Sequence, residues 1–292
     1  MYKSLVRPHL DYCDVIFHYP PDNNGIFDGR ENNHGTLNAL MVKIESVQYQ
    51  AALAITGTWQ GTSRSKLYDE LGFESLSNRR SLNRILQLFK INNNLTPDYL
   101  RLKLPILRYQ NQPNANPNIF YEYASRTIRF KKTFFPNAIS SWNNIFANVQ
   151  GDVTKSSIKS HILELTRPQP KSFYNIHDPI GLHYLFQLRT GLSPLRCHKF
   201  RHNFQDTPDE NCSCNHGFED TSHFLFTCLN FTIHRASLAV DIINILRKYN
   251  LLNLANNAKF YLYGHRELSS EDNKKVLSCT IRYVKNSGRF TR

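Results

Sequence analysis

Apolar residues recur at helical spacing along most of the chain. Between Leu37 and Thr56, the residues Leu40, Met41, Ile44, Val47, Ala51, Ala54 and Ile55 share one side of a helix, and Gly57 supplies its stop. Ser65 to Leu71 reads as a shorter helix closed by Gly72. In Ser77 to Asn92 an apolar stripe of Leu82, Ile85, Leu86, Leu88 and Phe89 is set against Arg79, Arg80, Arg84 and Lys90, so this helix is expected to carry a basic face. Pro97 opens a short helix ending near Leu104, and Pro136 opens one carrying Ile139, Trp142 and Ile145. A further helix is expected from Ser156 or Ser157 to about Leu165. GLHYLFQLRTGL is helix-like, Phe231 to Tyr249 forms a long helix, and Ser269 or Ser270 with Glu271 caps a last one reaching about Lys285. The opening stretch, Tyr2 to Phe17, mixes apolar and basic positions and reads as one or two helical turns stopped near Pro8.

Three polar stretches punctuate this pattern. PPDNNGIFDGRENNHG is a loop, Pro105 to Pro117 is rich in Asn, Gln and Pro, and RPQPKSFYNIHDP, Arg167 to Pro179, is the best linker. The fold class that follows is mainly α, with a helical unit over residues 1–167, a smaller helical unit over 168–292, and no internal repeat.

Charge changes the picture more than composition does. The chain is 40% hydrophobic and 12% aromatic, enough for a packed core. Its formal net charge is +13, and +11 of that lies between Arg79 and Lys171, where fifteen Lys/Arg face four Asp/Glu. Such a concentration favours an anionic partner, nucleic acid or an acidic membrane surface. Within it, Arg126, Arg129, Lys131 and Lys132 stand among Ile128, Phe130, Phe134 and Phe135. The alternation reads as a half-buried element, so these aromatics and Trp142 are expected in the core rather than stacked on bases. No apolar run approaches the ~18 residues that span a bilayer, and MYKSLVRPHLDYC lacks the apolar core of a secretory signal. The expectation is a chain that is not secreted, in nucleus or cytoplasm, where cysteines more often hold metal than form disulfides.

One segment fits that use of cysteine. CSCNHGFEDTSHFLFTC sets out Cys212-x-Cys214-x8-His223-x4-Cys228. Two cysteines one residue apart reach one ion if the chain turns between them, and Asn215, His216 and Gly217 supply turn chemistry just after. Zinc in a structural role takes four such ligands in a closed tetrahedron. The single spacer, Ser213, constrains the geometry, and His216 or Cys197 is an alternative ligand. Without a metal the same residues are buried thiols and an ordinary hydrogen-bonding histidine. Ahead of the segment stand Arg196, Lys199 and Arg201, with His198 and His202 adding charge if protonated.

Four stretches together resemble one family. YKSLVRPHLDYC is similar to the segment that follows the palm in reverse transcriptases of non-long-terminal-repeat retrotransposons. IESVQYQAALAITGT and KLYDELGFESLSNRRSLNRILQLFKI resemble the thumb of those proteins. GLHYLFQLRTGLSPLRCHKFRHNF with the Cys/His segment resembles their C-terminal zinc-binding region, and YLYGHRELSSEDNKKVLSCTIRYVKNSGRF the closing segment of jockey-like elements. The resemblance runs in order over nearly the whole chain. It implies a thumb-like helical domain followed by a small helical domain with a zinc-knuckle-like segment, descended from an RNA-directed DNA polymerase.

It also implies what is missing. Nucleotide transfer needs paired carboxylates holding two divalent ions. The family carries an Asp-Asp pair in its palm, and no Asp-Asp dipeptide occurs in this sequence. The neighbours Asp209-Glu210, Glu219-Asp220 and Glu271-Asp272 lie in loops or at helix starts, where adjacent side chains diverge. No catalytic residue and no small-molecule substrate is expected. What remains is binding of an RNA template or target DNA without regard to sequence, through Arg79, Arg80, Arg84, Arg126, Arg129, Lys131, Lys132, Arg196, Lys199 and Arg201, with structural zinc on Cys212, Cys214, His223 and Cys228. The alternatives are a scaffold docking an acidic protein or membrane, a truncated mobile-element relic with no selected activity, or part of a longer active polymerase.

Overall fold

The computed structural model describes residues 2–18, 36–106, 116, 118–147, 153, 154, 156, 158 and 176–291. The loop PPDNNGIFDGRENNHG, the Asn/Pro-rich stretch Pro105 to Pro117, the expected helix through Leu165 and the linker from Arg167 lie wholly or largely outside them. In chain order the α-helices are α1 (Arg7–Asp11), α2 (Asp14–Phe17), α3 (Thr36–Thr56), α4 (Arg64–Leu71), α5 (Leu76–Asn92), α6 (Asp98–Arg101), α7 (Ile128–Lys131), α8 (Phe134–Phe146), α9 (Pro179–Thr190), α10 (Arg196–Arg201), α11 (Thr232–Lys248), α12 (Ala258–Tyr263) and α13 (Ser270–Asn286). The protein is mainly helical, with no strand among the described residues; an isolated antiparallel bridge pairs Asn211 with Phe218.

The chain divides into two compact units: Met1–Tyr49 with Phe73–Pro168, and Gln50–Gly72 with Gln169–Arg292. The first is built on α5 and α8. Their facing apolar stripes bury Ile85, Leu88, Ile139, Trp142 and Phe146. Ser75 caps α5, its hydroxyl accepting from Asn78 N at 3.2 Å. Trp142 is core, as its spacing predicts, and its Nε1–H donates to the Asn118 carbonyl at 2.8 Å. Pro8 does not stop the opening helix. A π-helical turn over Tyr2–Val6 runs into α1 with Pro8 in the first turn of α1, where its missing N–H costs no helical bond.

The second unit packs α9, α11 and α13 around Leu185, Phe224, Ile242, Leu246, Val276 and Ile281. Ser269 caps α13, accepting from Asp272 N at 3.1 Å. Residues 50–72, which the sequence places with the first unit, pack here instead. Gly57 ends α3 at φ 62°, and a Cβ there would lie 2.3 Å from the His183 ring. Gln187 donates to the Gly57 carbonyl at 2.9 Å. Arg189, fully enclosed, pairs with Glu70 of α4 at 3.0 Å and donates through Nε to the Leu262 carbonyl at 2.8 Å. A buried guanidinium needs a buried counter-charge, and α4 supplies it.

Candidate metal centre and basic surfaces

The Cys/His segment folds into a tight turn followed by a helical turn. Cys212 N donates to the Gly217 carbonyl at 2.8 Å and Asn215 N to the Cys212 carbonyl at 3.0 Å. Asn215 takes the left-handed conformation, φ 60°, and Gly217 reaches φ 124°. The chain therefore reverses at Ser213–Gly217, and both Cys212 and Cys214 face inward. A π-helical turn, His223–Thr227, brings His223 and Cys228 to the same place. The four ligand atoms lie within 4.8 Å of one another, Cys212 Sγ to Cys228 Sγ at 3.5 Å and Cys214 Sγ to His223 Nε2 at 3.2 Å. Such a group could hold a metal ion. The alternatives fall outside it: His216 Nδ1 lies 2.6 Å from the Cys214 carbonyl, and Cys197 faces Glu210 at 3.5 Å.

The surrounding side chains orient the ligands, and nothing in the spacing announces most of them. Thr227 Oγ1 sits 3.0 Å from His223 Nδ1, which leaves Nε2 for the cluster, and Asp220 Oδ1 accepts from His223 N at 2.7 Å. Arg235 donates through Nε to the Leu225 carbonyl at 3.1 Å and through Nη2 to that of Cys228. Buried Glu219 receives Arg289 at 2.7 and 2.8 Å and the Arg196 backbone N–H at 2.8 Å, tying the turn to α10 and to the chain's last residues. Only Thr227, one helical turn after His223, was within reach of sequence reasoning. Burial pushes the Cys212 thiol up to about 12 and that of Cys228 upward as well. At Cys214 burial also acts upward, but hydrogen bonds, first the His216 backbone N–H, outweigh it and bring the thiol down to about 6. Three sulfurs this close cannot all ionise without a cation among them.

Of the basic face expected on α5, Lys90 alone is exposed. Arg79, Arg80 and Arg84 are buried at 6%, 6% and 1% exposure. Arg79 grips Asp11 through Nε at 3.0 Å and Nη2 at 2.7 Å. Arg80 Nη2 donates to the Leu10 carbonyl at 2.6 Å, and Arg84 Nε to that of Val15 at 3.1 Å. These carbonyls sit near the C-terminal ends of α1 and α2, where helical acceptors lack partners and cations are favoured. Arg84 also reaches Asn137 Oδ1 at 2.7 Å. Its burial pulls the guanidinium down to about 10, which leaves it charged at neutral pH. The three arginines fasten the N-terminal helices to α5 and α8. Lys132 is buried too.

Arg126, Arg129 and Lys131 are exposed, and none makes an ion pair among the described residues. Thr127 caps α7, accepting from Phe130 N at 3.2 Å. Phe130 is 44% exposed, edge-on to Tyr123, whereas Phe134 and Phe135 pack against the core. In the second unit Arg196 pairs with Asp209 at 2.9 Å and Lys199 with Asp206, while Arg201 and His202 are exposed. His198 adds no charge: it is buried between Ser193 Oγ at 2.7 Å and Thr221 Oγ1 at 3.4 Å, and burial, then Arg201, lower its pKa to about 4.

No helix among the described residues is long and apolar enough to cross a membrane. Comparison of the chain with models of protein families, with curated proteins and with solved structures finds no match.

Proposed function

We propose that the chain is a non-catalytic nucleic-acid-binding segment of an RNA-directed DNA polymerase of the jockey-like retrotransposon kind, gripping the backbone of RNA template or target DNA in nucleus or cytoplasm. The observation that carries the reading is the patch Arg126, Arg129 and Lys131: three solvent-facing cations with exposed Phe130 between them. Cations without acidic partners are free to displace counterions from phosphates, and an exposed ring offers a base a stacking face. Arg201 and His202 extend the reading to the second unit. Arg79, Arg80, Arg84 and Lys132 are not part of the grip, because their charge is spent inside.

Zinc is the metal we assign to Cys212, Cys214, His223 and Cys228. Three thiolates and an imidazole suit it. Bound there it would be structural, since four protein ligands leave no position for water. The family assignment rests on the four stretches quoted above.

Gel retardation of single-stranded RNA and duplex DNA tests the binding claim. Retardation at about 50 mM salt that weakens steeply as salt rises is the expected outcome. Free migration of both at the low salt, or binding that polyphosphate-free acidic protein competes away more readily than nucleic acid does, would remove it.

A further inference from the structure

A cleft of about 370 Å³ opens in the first unit where α2 meets the C-terminal half of α5. It lies apart from the α7 patch in sequence and is lined by different chemistry. Asn83, Gln87 and Lys90 follow one another at helical spacing and so share one face of α5. Asp14, only 7% exposed, enters from α2, its Oδ2 accepting from Asn83 Nδ2 at 2.6 Å. Among the described residues no other hydrogen bond reaches that carboxylate or the Asn83 side-chain carbonyl oxygen. The Gln87 amide and the Lys90 ammonium make no hydrogen bond among the described residues.

The apolar wall is built by the end of α5. Asn94 turns left-handed at φ 56°, Asn94 N donates to the Ile91 carbonyl at 3.3 Å, and Leu95 N donates to that of Lys90 at 2.9 Å. This paired closure folds the chain back over the last helical turn. It sets Leu95, 67% exposed, beside Phe89 at the cleft.

We propose that this cleft holds one unstacked nucleobase that carries an exocyclic amino group, with Lys90 on the neighbouring phosphate. The volume is that of a small-ligand site, with apolar walls and a few convergent polar groups. A carboxylate only accepts, so Asp14 selects a base that donates, and the Gln87 amide offers a donor and an acceptor side by side for the rest of the base edge. Uracil and thymine have no amino group, and the carbonyl they show instead would face the Asp14 oxygens. The inference rests on the nucleic-acid reading above and adds to it a single base held out of the stack.

Fluorescence anisotropy separates the two claims. Labelled oligo(C), oligo(U) and an abasic strand of equal length and charge are titrated with the wild-type chain, Gln87→Ala and Lys90→Gln; circular dichroism confirms that these surface variants keep their helices. The wild type is expected to bind oligo(C) roughly tenfold more tightly than oligo(U) or the abasic strand. Gln87→Ala should reduce that preference, since Asp14 still reads the amino group, and leave abasic binding unchanged, while Lys90→Gln should weaken all three. Equal affinity for the three strands overturns the base site and leaves the backbone grip standing. A preference of undiminished size in Gln87→Ala overturns its placement in this cleft. No binding of any strand overturns both.

Discussion

At the scale of single residues, His18 is the most exposed to test. It is 4% exposed, and neither ring nitrogen finds a hydrogen-bond partner among the described residues. Burial first, then Arg84 and Arg80, lower its pKa from 6.5 to about 3. In that interval the unfolded chain takes up a proton that the folded chain refuses. Stability is therefore fully present above pH 6.5 and falls as pH drops toward 3, by up to about 1.4 kcal/mol per pH unit. Urea denaturation from pH 7 to pH 4 should show this decline. His18→Leu should make the decline shallower, leaving the share from His198, whose pKa is also lowered to about 4, and, by removing two unpaired buried nitrogens, raise stability at pH 7 by about 1 kcal/mol; an unchanged slope would contradict the account. The arginines divide in the same assay. Arg84→Met leaves the Val15 and Lys132 carbonyls and Asn137 Oδ1 without their donor and should cost about 3 kcal/mol, whereas Arg129→Gln should change stability by less than about 0.5 kcal/mol.

At the scale of elements, the sequence was legible where one local rule decides. The period of apolar residues located α3, α5, α8, α9, α11 and α13 to within a few residues, and Gly57 and Ser269 mark ends because caps and left-handed stops are local. The Cys/His cluster was legible for the same reason: turn residues follow Cys212 and Cys214, and four residues separate His223 from Cys228. The face of α5 was not. Arg79, Arg80 and Arg84 lie on its polar side, and polarity alone reads as solvent. Whether that side meets water depends on where α1 and α2 fold, which is a tertiary fact. α10 and α12 went unseen because six residues give too few repeats of a period. The Glu219–Arg289 pair joins positions seventy residues apart and leaves no trace in spacing. For the metal centre the expectation is stoichiometric zinc in purified protein, lost in Cys228→Ser, and a lowered melting temperature after chelation. Thr227→Val, which frees the His223 ring without touching a ligand, should weaken metal affinity by about tenfold to a hundredfold. A competition titration with a chromogenic chelator reads both, and full affinity in Thr227→Val would show that the hydroxyl does not hold the imidazole.

At the scale of the molecule, two features set its behaviour. The first is that residues 50–72 belong to the second unit. Arg189 sits in that unit without access to water, and Glu70 is its ion-pair partner. Glu70→Ala should therefore destabilise the unit by roughly 3–5 kcal/mol, more than any surface change on the same helix, as thermal melting would report. The second is the charge of +13, of which the arginines of α5 contribute nothing to the surface. What is left for a partner is a smaller set of outward cations, and the count matters because each phosphate contact adds about 0.7–0.9 to the slope of log affinity against log salt. The measurement closest to the central claim is that slope, taken by fluorescence anisotropy with single-stranded RNA for the wild type and for Arg126→Gln/Arg129→Gln/Lys131→Gln. The account predicts weaker binding in the triple variant, unchanged melting temperature, and a slope lower by about 2. Identical slopes and affinities in the two proteins would contradict it.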